Sequence, residues 1–544
     1  MNHKCWGKAV RLRGWSTLTM VIATLTMWTT INTFVRSCAE DNHHPLFNFH
    51  RLYKAYIACR RNKRNKADAL EFELNHEHYL TDLVEELRKH RYRPLTSTFF
   101  YTDKPKHREI CAADFRDRIV HHLVYSELAP RWEKVFIYHS YACRPGKGTH
   151  KAAQALQGFI TKASRNGQRR VYFLKMDIYN FFMSIDRRKL FTMLASRCHD
   201  PDLLWLIRII VFHNPTHDYR MLDSDNLRYS IPPHKSLFNA RPFCGIPIGN
   251  LTSQFFANVY LNALDQFVKH QLKCKYYLRY VDDFVLLDPD PVKLQKWKDM
   301  ISDFLSDTLA LSLNEKATKV APVSGGVDFA GFIIRWNYML VRRRVVGSVK
   351  AKLRSIKPIL ISDDPEYTVC YFHPPTLELT HTAINSYLGH FKHAQARQCE
   401  KRLWNDFSFI NDFFTLSTHK IIPFYKPLYR IRSLKKQVRW LHRHFPGYIC
   451  LIEVGCYFET FDRSALKLNK ATRLALLEKW RGFSWGCGFP LRRLKKVMGQ
   501  LIDKSLPVVI VRQGERRVGT IRIRLPYLTI SPVSYTEEIY QWRR

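Results

Sequence analysis

The chain has 544 residues, 46% of them hydrophobic, so that most of it should fold, with room for several domains around sizeable cores. Its 87 Lys+Arg against 47 Asp+Glu give a formal charge of +40, a balance that calls for a polyanionic partner, nucleic acid or an acidic membrane surface. The basic residues are interleaved with 27 Tyr, 35 Phe and 12 Trp, a mixture that suits stacking on unpaired bases as well as phosphate contact, and so a folded binding channel. Thirteen Cys without a C-x-x-C pair suggest neither a disulfide framework nor a zinc site and fit a reduced, cytoplasmic protein.

Lys4, Lys8, Arg11 and Arg13 precede an uncharged run from Gly14 to Val35. It is rich in Thr and a poor membrane span. For residues 1–45 an anchor, a peripheral extension and a start codon placed too far upstream all stay open. Residues 46 to about 92 read as helical, with Ala67, Leu70 and Leu74, then Leu80, Leu83 and Leu87, near helical spacing. The cluster Arg60-Arg61, Lys63-Arg64 and Lys66 weighs equally as a solvated face and as a nucleic-acid contact. Ser140 to His150 is basic and contains glycine but lacks phosphate-binding-loop spacing.

Val171 to Ile178 reads as a buried strand ending in Asp177, a metal-ligand candidate or a turn residue. Cys244 to Gln254 is a turn-forming loop in which Gly249 permits unusual backbone geometry, and it opens a helix from Phe255 to about His270. Leu278 to Leu287 reads as strand, turn, strand, with Asp282 and Asp283 at the turn. Two acids inside an apolar hairpin need a cation. Alone, the hairpin is evenly balanced between a charged turn beside a salt bridge and a metal site. Val327 to Ile334 reads as a further hairpin, residues 343 to about 435 as basic helices interrupted by loops near Pro365 and Pro374-Pro375, and the chain from Phe445-Pro446 onward as a compact strand-and-helix block.

Together these motifs resemble reverse transcriptases, over roughly residues 50 to 430. Lys175-Met176-Asp177 with Phe181-Phe182 is similar to the family's first catalytic motif, and Tyr280-Val281-Asp282-Asp283 to its second. Gly249 to Gln254 resembles the loop that positions template and nucleotide, and Phe329-Ala330-Gly331 the primer grip. The resemblance implies an α+β fold, a right hand of fingers (46–165), palm (166–342) and helical thumb (343–438). It implies an RNA-directed DNA polymerase holding two Mg²⁺ ions, with Mn²⁺ as a substitute, through Asp177, the Ile178 carbonyl, Asp282 and Asp283. Asp177 and Asp282 are the expected direct ligands. Adjacent strand residues face opposite ways, so Asp283 takes a supporting role. Arg108, Arg116 and Arg144 match basic positions of the fingers, with Arg108 meeting the triphosphate. Lys316 is either the proton donor to the leaving group or a surface salt bridge. Phe182 stands at the steric-gate position. Gly249, Ser253, Gln254 and Tyr280 complete the substrate-binding set.

Ser253-Gln254, where many relatives carry Ser-Pro, resembles the reverse transcriptases of diversity-generating retroelements. So do Ser140 to His150 and Asn385 to His390. That lineage implies a template RNA, an RNA/DNA hybrid, dNTPs and a small basic accessory protein as partners, and no membrane. An antiphage-defence polymerase and a non-catalytic nucleic-acid-binding protein are the alternatives. Residues 439–544, from Pro446-Gly447-Tyr448 through Tyr457-Phe458-Glu459, resemble the mismatch-recognition domain of MutS, a mixed α/β domain. That implies nucleic-acid contact by Tyr457, Phe458 and Glu459. Removing residues 440–544 is expected to spare basic polymerisation but to weaken binding to duplex or bulged substrates.

Overall fold

The computed structural model describes residues 44–61, 63, 66–102, 107–222 and 231–533. The run from Gly14 to Val35 and Arg64 of the basic cluster lie outside them. No helix of the described residues is long and apolar enough to cross a membrane. The chain forms two compact units, residues 1–325 and 326–544.

In the first unit, α1 (Phe49–Arg60) starts at Asn48, whose side chain accepts from the Arg51 amide at 3.0 Å. Helices follow at Ala67–Leu74 and His76–Arg88. Leu80, Leu83 and Leu87 are fully buried as their spacing predicts, but Leu70 is 50% and Leu74 82% exposed. Ala69 and Phe72 take the core instead. The chain breaks at Asn75 between two short helices, so the apolar stripe changes phase there.

β1 (Ser97–Thr102) and β2 (Arg108–Ala112) pair as a hairpin. The long helix α2 (Phe115–Glu133) follows, started by the Asp114 side chain. The central sheet is antiparallel and four-stranded. β3 (Tyr172–Asp177), β5 (Tyr276–Tyr280), β6 (Asp283–Asp288) and β7 (Lys319–Pro322) lie in the order β5-β6-β3-β7, while β4 (Tyr219–Met221) joins β1 elsewhere. Two helices, α3 (Leu251–Gln266) and α4 (Pro291–Leu309), share a core with this sheet through Phe256, Tyr260, Trp297 and Ile301 against Leu174, Met176, Phe284 and Leu286. Aromatic and branched residues along β3 and β6 are buried on both faces, which is why both strands read as continuous apolar runs.

His121 on α2 bonds through Nδ1 to the Thr252 hydroxyl and lines a cavity with Asp117 and Phe256. Burial, then the nearby His213, His122 and Arg118, push it down from 6.5 to about 3. The unfolded chain therefore takes up a proton below about pH 6.5 that the folded chain refuses. This contribution to stability is complete above pH 6.5 and is lost as pH falls toward 3. The urea midpoint is expected to drop between pH 7 and pH 4.5, and His121→Gln to flatten that drop. An equal drop in the variant would contradict the assignment.

In the second unit, β8 (Val327–Phe329), β9 (Phe332–Ile334) and β10 (Met339–Val341) form a small antiparallel sheet. Helix α5 (Arg343–Leu360) buries Val349, Leu353, Ile356 and Leu360, a helical stripe. The hairpin β11 (Ile361–Asp363) and β12 (Tyr367–Tyr371) comes next, then α6 (Pro374–Phe391). Pro365 lies in the turn of that hairpin rather than in a loop between helices. β13 (Phe414–Ser417) and β14 (Lys420–Pro423) pair with each other, and α7 (Leu434–His444) leads into the last block.

There the strands are β15 (Ile449–Val454), β16 (Tyr457–Phe461), β17 (Leu476–Glu478), β18 (Trp485–Pro490), β19 (Val508–Val518) and β20 (Ile521–Pro532). They form one eight-stranded sheet with the earlier hairpin, in the order β11-β12-β20-β19-β15-β16-β18-β17. Val369 pairs with Ile530 and Tyr371 with Leu528. The expected boundary at 438/439 is thus crossed by a sheet. It is also crossed by a core that joins Leu353, Leu377 and Ile384 to Cys450, Ile452, Phe461 and Val511.

Candidate active site

β3 ends at Asp177 and β6 begins at Asp283, and the two are direct cross-strand partners. Tyr280 opposes Asp283 from the other side. Residues directly opposite share a face, so Asp177, Asp283 and Tyr280 form one row. Lys175, two residues before Asp177, shares that face, and its Nζ lies 3.2 Å from Asp283 Oδ2.

The connection from β5 to β6 is only Val281-Asp282. Val281 holds φ +57°, a region that costs a β-branched residue about 1–3 kcal/mol. Positive φ at the first central residue is the pattern of a type II′ hairpin turn. The bend interrupts the strand alternation at Asp282, and the Asp282 charge acts on Asp283.

Burial pushes the Asp283 carboxyl up to about 7; Lys175 opposes the shift, and Asp177 and Asp282 add to it. Its Oδ1 is buried and has no hydrogen-bond partner among the described residues, a condition that costs about 1–3 kcal/mol. Asp177 is held twice by Asn314, whose Nδ2 donates to Oδ2 at 3.0 Å and whose amide donates to the Asp177 carbonyl at 2.8 Å. The Ile178–Leu313 bridge uses the Asp177 carbonyl and the Tyr179 amide, so it leaves the Ile178 carbonyl out.

Among the described residues no three His, Cys, Asp or Glu side chains are grouped to hold a metal by themselves. A Mg²⁺ that takes its other oxygens from substrate phosphates and water needs only one or two carboxylates. The unpartnered Asp283 oxygen and the surplus of acids over Lys175 fit such an ion. Sequence reasoning missed Lys175 and Asn314. Asn314 lies two residues before Lys316, which is exposed and forms no ion pair among the described residues.

The other expected substrate contacts divide. Arg108 is exposed at the start of β2. Arg144 is partly buried and gives Glu133 a two-point contact, Nε at 3.1 Å and Nη2 at 2.8 Å, while Nη1 donates to the Ile137 and Ser140 carbonyls. Arg116 is paired with Glu86 and stacked over Tyr92 at 5.3 Å. The charges of both arginines are met by acids of their own fold. Ser253 is buried and Gln254 exposed in the first turn of α3.

Gly249 has φ +137°, and a Cβ there would stand 2.6 Å from the Cys111 carbonyl oxygen. The loop lies against β2, with the Cys111 amide donating to the Ile248 carbonyl at 2.8 Å. Phe182 is half-buried beside Phe181, ring centroids 5.4 Å apart. The Tyr280 hydroxyl meets Thr149 Oγ1 at 3.1 Å.

In the second unit the turn Ala330-Gly331 has φ +51° and +90°. Its neighbour Phe332 stacks on His390 of α6, centroids 4.1 Å apart. In the last block Tyr457 is 46% exposed, whereas Phe458 is fully buried, packed against Phe489 at 5.9 Å. Alternation along β16 turns Phe458 into the core, so its expected nucleic-acid contact is corrected to packing. Glu459 is buried too, accepting from Trp480 Nε1 at 3.2 Å and from Arg481 Nε at 2.8 Å. Its charge is met within the domain.

Residues 99–334 match the family model for reverse transcriptase (RNA-dependent DNA polymerase), and residues 432–527 match that for MutS domain I. The chain is 27% identical over 155 residues to an uncharacterized 91 kDa protein in the cob intron of Schizosaccharomyces pombe, covering 28% of this chain and 16% of that protein. It is 23% identical over 351 residues to the group II intron-encoded protein LtrA of Lactococcus lactis subsp. cremoris, covering 52% of this chain and 53% of LtrA. The chain thus spans about half the length of LtrA and much less of the yeast protein. Among solved structures, apo telomerase from Candida tropicalis, truncated from the C-terminal domain, matches with TM-score 0.35 and 13% identity over 47% of this chain and 59% of that one. Telomerase from Candida albicans, in complex with a TWJ fragment of telomeric RNA, matches with TM-score 0.33 and 13% identity over 68% of this chain and 65% of that one. Residues 99–334 are thus similar to a reverse transcriptase domain, with a group II intron-encoded protein among the relatives, and are followed by a block similar to MutS domain I.

Proposed function

We propose that this protein is an RNA-directed DNA polymerase that copies a template RNA into cDNA from dNTPs. The observation that carries the reading is the acidic row: Asp177 opposite Asp283, with Asp282 turned out at a strained bend and one Asp283 oxygen left unpartnered. Asp177, Asp282 and the Ile178 carbonyl would hold two Mg²⁺ ions, and Asp283, tethered by Lys175, supports them. When bound, such ions supply a better 3′-oxygen nucleophile and neutralise charge on the leaving pyrophosphate.

The chain's own residues do the rest. Asn314 fixes the Asp177 carboxylate. Exposed Arg108 would meet the triphosphate, and exposed Lys316 would protonate the leaving group. Gly249 lets the positioning loop lie against β2. The +40 charge draws in the template RNA and the RNA/DNA hybrid, and Tyr457 stacks on duplex at the far end of the chain. A diversity-generating retroelement, with its small basic accessory protein, is the finer setting we propose, on Ser253-Gln254 and the Ser140–His150 motif. A near-duplicate template and variable repeat beside the gene tests it.

The Phe182 ring excludes a ribose 2′-hydroxyl in this reading. The test is single-nucleotide extension of a DNA primer on an RNA template, with dNTP and rNTP compared. Wild type should favour dNTP strongly, and Phe182→Ala should raise relative rNTP use by about 10–100-fold. Unchanged selectivity in the variant would remove the gate, and no extension by wild type would remove the polymerase.

A further inference from the structure

The turn between β5 and β6 is held from beneath by a pair that the mechanism above does not use. Arg279, next to last in β5, and Asp265, near the end of α3, are both fully buried. Arg279 Nε meets Asp265 Oδ1 at 2.8 Å, and Nη2 meets Oδ2 at 2.7 Å. The other three donors go to Asn258 Oδ1 at 3.2 Å, Ser140 Oγ at 3.1 Å and the Val281 carbonyl at 2.9 Å. All five guanidinium N–H groups are therefore used. The main chain of Arg279 is tied as well, its amide donating to the His139 carbonyl at 3.0 Å and its carbonyl accepting from Tyr141 at 2.9 Å.

A fully buried ion pair is costly to desolvate and adds little stability over an apolar pair of the same size. Geometry is the better account of it. The one bond that reaches the catalytic turn goes to Val281, the residue held at φ +57°. A charge-assisted hydrogen bond is of the same order as the strain at that residue.

We propose that Arg279, clamped by Asp265, is a positioning residue. It holds the Val281 carbonyl, and with it the left-handed bend that keeps the Asp282 carboxylate within electrostatic reach of Asp283, as Asp177 also is. The inference rests on the polymerase reading, since it gives the bend a purpose.

The test uses the full-length protein and two measurements. One is Mn²⁺ binding without nucleic acid, read from the electron paramagnetic resonance signal of free Mn²⁺. The other is the Mg²⁺ dependence of primer extension. Arg279→Lys keeps the charge and loses the fork. It should raise the Mn²⁺ dissociation constant and the half-saturating Mg²⁺ concentration about tenfold, with the KM for dNTP changed less than about twofold. Asp265→Asn, a gentler change should Arg279→Lys fail to fold, is expected to act in the same direction.

Adding Val281→Gly to either variant should recover much of the lost metal affinity, because glycine holds a positive φ without a clamp. A group that served core stability alone would give no such recovery. Wild-type metal affinity in a folded Arg279→Lys or Asp265→Asn protein, or failure of Val281→Gly to restore it, would overturn the clamp. Absence of both Mn²⁺ binding and primer extension in wild type would instead overturn the polymerase reading beneath it.

Discussion

Deleting residues 440–544 is expected to unfold much of residues 326–439 and to abolish processive primer extension, rather than to weaken duplex binding alone. β12 takes its outer hydrogen bonds from β20, Tyr367 to Tyr371 against Pro532 to Leu528. The Phe372 amide donates to the Tyr527 carbonyl at 2.9 Å, and the Tyr367 hydroxyl to the Ile502 carbonyl at 2.7 Å. Leu360, Ile361, Cys370, Phe372 and Leu377 are buried in one core with Cys450, Ile452, Val509 and Val511. Fully burying a large apolar side chain is worth about 1.5–3 kcal/mol, and a domain has only about 5–15 kcal/mol to lose. Uncovering several at once exceeds that margin. Circular dichroism and limited proteolysis of the truncated chain check this directly. A cooperative unfolding transition in residues 326–439, with wild-type extension rates, would show that the last block is separable after all.

Much of the site could be read in advance, because an acid at the end of an apolar strand is conspicuous. Asp177, Asp282 and Asp283 stand out in this way, and Gly249 announces its loop. Their partners do not. Lys175 and Arg279 look like two more cations in a chain of 87 Lys+Arg, and their roles depend on Asp283 and Asp265, which lie on other elements. The same surplus made Arg116 and Arg144 look available, although Glu86 and Glu133 already hold them. Phe458 was legible from strand alternation: with Tyr457 outward on β16, its neighbour must face the core. The fusion of the C-terminal block was not. Pro365 marks a break in any local reading, and nothing local reveals that the strand after it pairs with one about 160 residues further on. Leu70 and Leu74 misled for a related reason, since a stripe continued across Asn75 assumes one helix where there are two.

Asp282→Ala and Asp177→Ala are each expected to lower primer extension by at least about 10³-fold while leaving nucleic-acid binding nearly intact. Each removes a charged ligand from the proposed metal site, and losses of that size are usual when one member of a concerted catalytic set is deleted. Binding should survive because the affinity comes from Lys and Arg spread along the chain. Asp282 lies half-buried in the turn between β5 and β6 and Asp177 half-buried at a strand end, so neither removal opens a cavity in the core. Asp283→Asn should be milder, since the amide keeps the shape beside Lys175. The measurement that bears most directly on the account is therefore extension of a DNA primer on an RNA template by wild type and Asp282→Ala, with RNA/DNA hybrid affinity recorded on the same preparations. The account predicts dNTP- and Mg²⁺-dependent extension by wild type, its loss in the variant, and hybrid affinities within about threefold of each other. Equal extension by both proteins would contradict it.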